Sequence, residues 1–262
     1  MIEPLVISSI VITVTLLYAS YRDVKERRVP FRTWYPMIAI CVPISVWAYS
    51  LLIVSDLRFA FGYILMVVVF CSMFYFSSAY LHLFGGADAW ALIFITAFVP
   101  LFPVEPLWSY PVLPFLPLTV LVNAVVLNLA TPIGLLVFNI MKKNYAPLRY
   151  MFVGYPVDGK RITEYFGFIM EDFEDSEGEL KRHYISFADA IKRMISGKRR
   201  MYTKDLKKDP EEYKVEIEMY RRAGHVWISY GVPFIIPIAA GFITAILFGD
   251  IVYVVMRTLG LF

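Results

Sequence analysis

The sequence predicts an all-α polytopic membrane protein of six transmembrane helices, with a small α+β cytoplasmic domain between the fifth and the sixth. Three observations lead there. Of the 262 residues, 59% are hydrophobic and only 18% are charged, whereas a soluble domain is nearer a quarter charged. The apolar residues gather in runs close to the roughly 20 needed to cross a bilayer. The basic residues are segregated: of 25 Lys and Arg, five lie in residues 22–32 and 18 in residues 141–224, leaving only Arg58 and Arg257. The formal charge of +3 orients such a protein. No basic stripe is interleaved with a base-stacking platform, so no nucleic-acid partner is expected.

Helix 1 is predicted from Pro4 to Tyr21, with proline placed where a helix start tolerates it. The basic loop Arg22 to Arg32 follows. Helix 2 covers Trp34 to Val54 and helix 3 Phe59 to Leu81, joined by Ser55-Asp56-Leu57-Arg58. The glycine turn His82 to Asp88 leads into helix 4, which ends by Pro100 and is short for a bilayer. Phe102 to Pro114 is rich in proline and aromatics, as at a membrane interface. Helix 5 is predicted over Val112 to Met141 and helix 6 over Val226 to Phe248, with an interfacial tail at 251–262. The basic-residue bias puts residues 22–32 and 141–224 in the cytoplasm, which needs six spans and an external N-terminus. The division is then 1–141 for helices 1 to 5, 142–225 for the cytoplasmic domain and 226–262 for helix 6 and the tail. The start, Met-Ile-Glu-Pro, lacks the basic region and cleavage site of a secretory signal.

Inside the cytoplasmic domain, Phe152 to Val157, Asp158-Gly159 and the residues after Lys160 predict a hairpin around an Asp-Gly turn. Ser186 and Asp189 have capping-box spacing ahead of an amphipathic helix bearing Phe187, Ile191, Met194 and Ile195, ended by Gly197. A second helix follows Asp209-Pro210-Glu211-Glu212 and closes at Arg221, Arg222 and Gly224. The acidic run Glu171, Asp172, Glu174, Asp175, Glu177 and Glu179 reads as a solvated loop, attraction of a basic peptide being the alternative. Cys41 and Cys71 fall in apolar runs and read as small packing residues.

Two carboxylates carry the functional reading. Asp88 opens an apolar stretch right after Gly85 and Gly86, and a carboxylate near lipid depth is usually paired or functional; its plainer role is a helix cap. Asp23 sits at the cytoplasmic end of helix 1, where it reads alone as a solvated acid balancing Arg22 and Lys25. Together they lie at one membrane face. Two carboxylates held close cannot both ionise, so they share a proton and divide acid from base. His82, His183 and His225 make no His-Glu-x-x-His pair, and no Gly-x-Ser-x-Gly run exists.

Asp-Val-Lys-Glu-Arg-Arg-Val-Pro at 23–30 resembles the stretch after the first span of type IV prepilin peptidases. Gly85-Gly86-Ala87-Asp88 resembles their Gly-x-Gly-Asp signature, with Ala87 in place of the second glycine. The late cytoplasmic domain looks most like that of archaeal preflagellin peptidases. The resemblance implies a membrane aspartyl protease with Asp23 and Asp88 as the catalytic pair, supported by Gly85, Gly86 and Ala87. Neither metal nor organic cofactor is implied, and the zinc-binding cysteine loop of many bacterial relatives is missing. Implied partners are the bilayer and preflagellin- or prepilin-like substrates with basic leaders, in an archaeal cell membrane. Pro233, Phe234 and Pro237 loosen backbone pairing at the cytoplasmic start of helix 6 and are candidates to contact an extended substrate; an ordinary kink is the alternative. A different class of function, an ion or proton relay through intramembrane acids, predicts paired repeats of broken helices, and the sequence shows no such repeat. A lateral substrate entry predicts that the two carboxyls, without substrate, stand beyond direct hydrogen-bond reach.

Overall fold

The computed structural model describes residues 2–81, 85–108, 114–176, 179–186, 189, 192, 201–231 and 233–260. It divides into two compact units, residues 1–129 with 233–262, and residues 130–232.

The first unit is helical: α1 Ile2–Glu26, α2 Tyr35–Ser55, α3 Leu57–Ala79, α4 Gly86–Phe98 and α5 Leu116–Asn128. In α1 the inward stripe is Leu5, Ile12, Leu16 and Ala19, while Ile10, Val14, Leu17 and Tyr18 face outward and exposed. A helix apolar on both faces, with one face open, is a lipid-facing helix. Three of its hydroxyls fold back on the helix: Ser9 Oγ donates to Leu5 C=O at 2.7 Å, Thr13 Oγ1 to Ser9 C=O at 2.8 Å and Thr15 Oγ1 to Val11 C=O at 2.9 Å, which satisfies those donors without water. Asp56 ends α2 and caps α3, accepting the N–H groups of Arg58 and Phe59. By contrast α4 is buried nearly all round, with Ala91, Leu92 and Ile95 at 1%, 0% and 0% exposure. Its neighbours are α1, α2, α3, α5 and the helix Ile235–Phe248, so a short helix suffices at the centre.

Four helical stretches among the described residues are long and apolar enough to cross a membrane: Glu3–Glu26, Phe31–Ser55, Leu57–Ala79 and Leu116–Met141. A fifth is a broken pair, Ile235–Phe248 and Ile251–Thr258, bent by 57°. The first half of that pair packs on α5 so closely that a Cβ at Gly241 would lie 2.7 Å from Ala124 N, the small-residue contact that membrane helices favour. The break itself is held by Asn123, fully buried on α5: its Nδ2 donates to Gly249 C=O at 2.9 Å and its Oδ1 accepts from Ile251 N–H at 3.0 Å.

The second unit holds α6 Ala130–Met141, a short α7 Leu148–Met151, β1 Gly154–Asp158, β2 Glu171–Ser176, β3 Glu179–Tyr184, α8 Thr203–Lys208, α9 Lys214–Ala223 and β4 His225–Ser229. Strand β4 pairs antiparallel with β1, Gly154 opposite Ser229 and Asp158 opposite His225. Its other edge takes residues 168–170, with Met170 N–H donating to Trp227 C=O at 2.9 Å. The core beneath is Val157, Ile162, Ile169, Leu206, Tyr220, Val226 and Ile228.

The expected elements shift in four places. The Asp158-Gly159 hairpin does not form: Asp158 accepts Lys160 N–H at 2.9 Å and starts a 3-10 helix, Gly159–Glu164, while β1 finds its partner far along the chain. Long-range burial of Val157 beside Val226 outweighs the local turn signal. The hairpin that does form is β2 with β3, made from the acidic run expected to be a solvated loop, and Glu171 within it is 1% exposed. Helix 6 does not begin at Val226, because residues 225–229 are β4; the helix begins at Ile235. Helix 1 continues past Tyr21 to Glu26, so residues 22–26 are helical rather than loop. The second domain helix is present as α9 and ends at Gly224 with φ +75°. The Ser186 cap is formed, Asp189 N–H donating to Ser186 Oγ at 3.1 Å. Most of the amphipathic helix after it, with Phe187, Ile191, Met194, Ile195 and Gly197, lies outside the described residues, as does His82.

Candidate active site

Asp23 occupies the last turn of α1. The side chains expected to balance it are otherwise engaged: Arg22 pairs with Glu26 one turn on, and the Lys25 ammonium lies over the Tyr21 ring at 5.8 Å. The cation that acts on Asp23 is Arg27. Arg27 takes a left-handed conformation, φ 50°, uncommon outside glycine and asparagine, and so turns the chain out of α1 towards Pro30. The 3-10 turn Phe31–Trp34 then packs on α4, with the Phe31 ring 5.0 Å from Trp90 and Trp34 5.6 Å from Phe94. These rings tie the end of α1 to the start of α4, and the sequence reading had missed them. Aromatics recurring four apart at 90 and 94, opposite a pair at 31 and 34, were the available signal.

Asp88 is the third residue of α4, whose N-cap is Gly85. The backbone N–H groups of Gly85 and of Ile235, the first residue of the helix Ile235–Phe248, act on the Asp88 carboxyl electrostatically. A Cβ at Gly85 would stand 2.8 Å from Asp88 Oδ2, so the carboxylate would have to move aside, whereas a Cβ at Gly86 would meet open space. Ala87, half-buried, packs on the main apolar core.

The two carboxylates, far apart in sequence, act on one another electrostatically. Among the described residues no hydrogen bond joins them. The fold brings together Asp23, Asp88, Gly85 and the start of the last helix. Pro233 and Pro237 are buried and Phe234 is half-buried. Neither proline kinks a helix, as both lie at the helix start: Pro233 precedes Ile235 and Pro237 is the third helical residue.

Residues 10–138 match the type IV leader peptidase family, and residues 146–251 match the archaeal peptidase A24 C-terminus, type II. The chain belongs to the type IV leader peptidase family. A preflagellin peptidase of Methanococcus voltae is 27% identical over 251 residues, which cover 90% of this chain and 92% of that one. Membership makes the chain a membrane protease of leader peptides, and the family match at 10–138 contains both aspartates.

Proposed function

We propose that this chain is an aspartyl endopeptidase of the Gly-x-Gly-Asp type, with Asp23 and Asp88 as its catalytic pair. The observation that carries the reading is the convergence of two carboxylates from the end of α1 and the start of α4, which act on one another electrostatically. Two like charges that act on one another favour protonation of one of them. The ionised member takes a proton from water, which attacks the scissile carbonyl. The protonated member donates to the carbonyl oxygen, and later a proton passes to the leaving amine. No step calls on a metal or organic cofactor.

The substrates proposed are preflagellin- or prepilin-like proteins with basic leaders, as the relative's name and the acidic pair suggest. A hydrophobic segment of the substrate would enter between helices and present its peptide bond at the cytoplasmic face. The absence of a direct hydrogen bond between the described carboxyls fits a site that closes around substrate. Counting the buried α4 as a short span gives six, with the N-terminus outside and residues 22–32 and 142–225 cytoplasmic.

The test is incubation of the purified protein with a candidate preflagellin-like protein, beside Asp23→Asn and Asp88→Asn. Cleavage by the wild type and by neither variant is expected; turnover retained in one variant removes that residue from the pair. Orientation is checked by a cysteine placed at Lys25, which impermeant reagent should reach only after permeabilisation.

A further inference from the structure

A helix at the centre of a bundle is open only where no neighbour covers it. Between Ala89 and Phe98 every residue of α4 is buried except Trp90, Ile93 and Ala97, which recur three and four apart and so form one stripe down the helix. The part of that stripe nearest Asp88 opens on a cleft of about 430 Å³, lined by Trp90 and Ile93 of α4 and by Cys71, Ser72, Tyr75 and Phe76 of α3. The two helices are tied beside it, the Cys71 thiol standing 3.7 Å from Ile93 C=O. Beyond Trp90 the ring of Phe31, 5.0 Å away, carries the apolar surface on to the turn that follows α1. The cleft therefore lies at the end of the bundle that holds Asp23 and Asp88, and it shares a helix with Asp88. A space of this size takes a few large side chains, which is how a helix laid along a groove anchors, through residues three or four apart. Cys71 and Ser72 are small, and in lipid small residues let a second backbone come close, where packing rather than apolar burial drives association.

We propose that the cleft between α3 and α4 seats the apolar segment of the leader-bearing substrate. The inference rests on the protease reading above and names the surface that its substrate meets. The occupant follows from position: a membrane protease of leader peptides must hold its substrate's apolar segment in the bilayer beside its carboxylates, and this cleft runs into the helix end that bears Asp88. Trp90 comes two residues after Asp88, about 200° round the helix, so the cleft and the carboxyl lie on opposite sides of α4. The substrate chain crosses the start of that helix to reach Asp88. Gly85 and Gly86 are both exposed there, and a Cβ at Gly86 would meet open space, so among the described residues the crossing is clear. Passing half-way round a helix about 10 Å across takes roughly five extended residues. The scissile bond then stands about five residues from the first side chain seated in the cleft.

The test uses the full chain in nanodiscs with a preflagellin-like protein as probe. The photo-crosslinker benzoylphenylalanine is placed by nonsense suppression at Ser72, in the cleft, and separately at Val46, 66% exposed on the outer face of α2. Both are irradiated with the probe in an Asp88→Asn background, so that capture needs no turnover. Capture of the probe from position 72 and not from 46 is expected. Capture from 72 of a second copy of this chain, or of lipid alone, overturns the proposal, and so does equal capture of the probe from both positions. The kinetic arm fills the cleft with Ser72→Trp. KM is expected to rise about tenfold or more with kcat held within about twofold, the signature of lost uniform binding. Val46→Trp, and Ser72→Ala, which keeps the cleft open, should stay close to wild type. A Ser72→Trp enzyme with unchanged KM overturns the proposal. A rise in KM as large in Ser72→Ala does so too, since it would assign the effect to the hydroxyl and not to the space. The two readings fail separately: cleavage by the wild type without capture at 72 sinks the seat alone, and capture at 72 beside a wild type that never cleaves sinks the protease reading alone.

Discussion

Two acidic side chains, one from each unit, are drawn inward in different surroundings. Glu171, in the mixed unit, accepts the backbone N–H of Trp227 at 2.7 Å, while the carboxyl of Asp88, in the helical unit, feels the backbone N–H groups of Gly85 and Ile235. Their nearest charges have opposite sign. Glu171 has the guanidinium of Arg182 at 3.9 Å, whereas Asp88 has the carboxylate of Asp23. A fold that needs only to bury a carboxylate supplies a cation beside it. A site that must move a proton supplies a second carboxylate and accepts the electrostatic cost. That difference is what the role proposed for Asp88 requires, and it rests on neighbours rather than on burial.

The sharpest way to break that comparison is to neutralise each acid in turn. Asp88→Asn and Asp23→Asn should each lower leader cleavage by about 10²- to 10⁴-fold or more, the scale of lost acid–base catalysis, with the protein still monodisperse in detergent. Glu171→Gln should leave the cleavage rate near wild type. A Glu171→Gln variant as inactive as Asp88→Asn would erase the distinction.

The next largest effect concerns the carboxylate's room. Gly85→Ala puts a Cβ 2.8 Å from Asp88 Oδ2, so the carboxylate must shift by a good fraction of an ångström. Displacements of that size cost on the order of a hundredfold in rate. Gly86→Ala, with open space at the Cα, should lose far less. Initial rates under saturating substrate check both, and equal losses would show that the turn's conformation, not the carboxylate's space, is what the signature protects.

A third substitution shows that a buried polar group in the helical unit need not be catalytic. Asn123→Leu removes a donor to Gly249 C=O and an acceptor for Ile251 N–H. Leaving buried backbone groups unmatched costs about 1–3 kcal/mol, so the thermal midpoint in detergent should fall. The specific activity of the remaining folded protein should hold; a loss of kcat at unchanged stability would instead tie the broken helix to the chemistry.

Much of the helical unit was legible because lipid leaves a protein few choices: backbone groups must be satisfied within the helix, so apolar length translates into spans. Helices 2 to 4 fall within a few residues of expectation for that reason. The pair of aspartates could be read from the ordered motifs and the charge bias. What could not be read depends on partners distant in sequence. Val226 belongs to a strand because β1 waits for it, and the apolar run into Phe248 hides that switch of period. The acidic stretch at 171–179 looks solvated until Trp227 and Arg182 come to it.

Glu171 also gives the smallest effect and the most direct measure of its role. Burial is the largest influence on its carboxyl and pushes its pKa up from 4.5, while the Trp227 N–H and Arg182 pull the other way. The net direction is upward, so the folded protein holds this proton more tightly than the unfolded chain does. Its contribution to stability is therefore full below the unfolded value and is lost as pH rises through the folded one. Glu171→Gln keeps a carbonyl to accept Trp227 N–H and removes the titration. Thermal midpoints of the full chain in detergent, followed from about pH 4 to 7, should show wild type losing ground to Glu171→Gln as pH rises. Arg182→Gln, which removes the attracting cation, should steepen that loss. Asp88→Asn should not reproduce the steepening, since it leaves Arg182 beside Glu171. A wild type that instead gains on Glu171→Gln with rising pH would mean that Arg182 outweighs burial. Glu171 would then be a stabilising ion pair, and the contrast with Asp88 would be wider than drawn here.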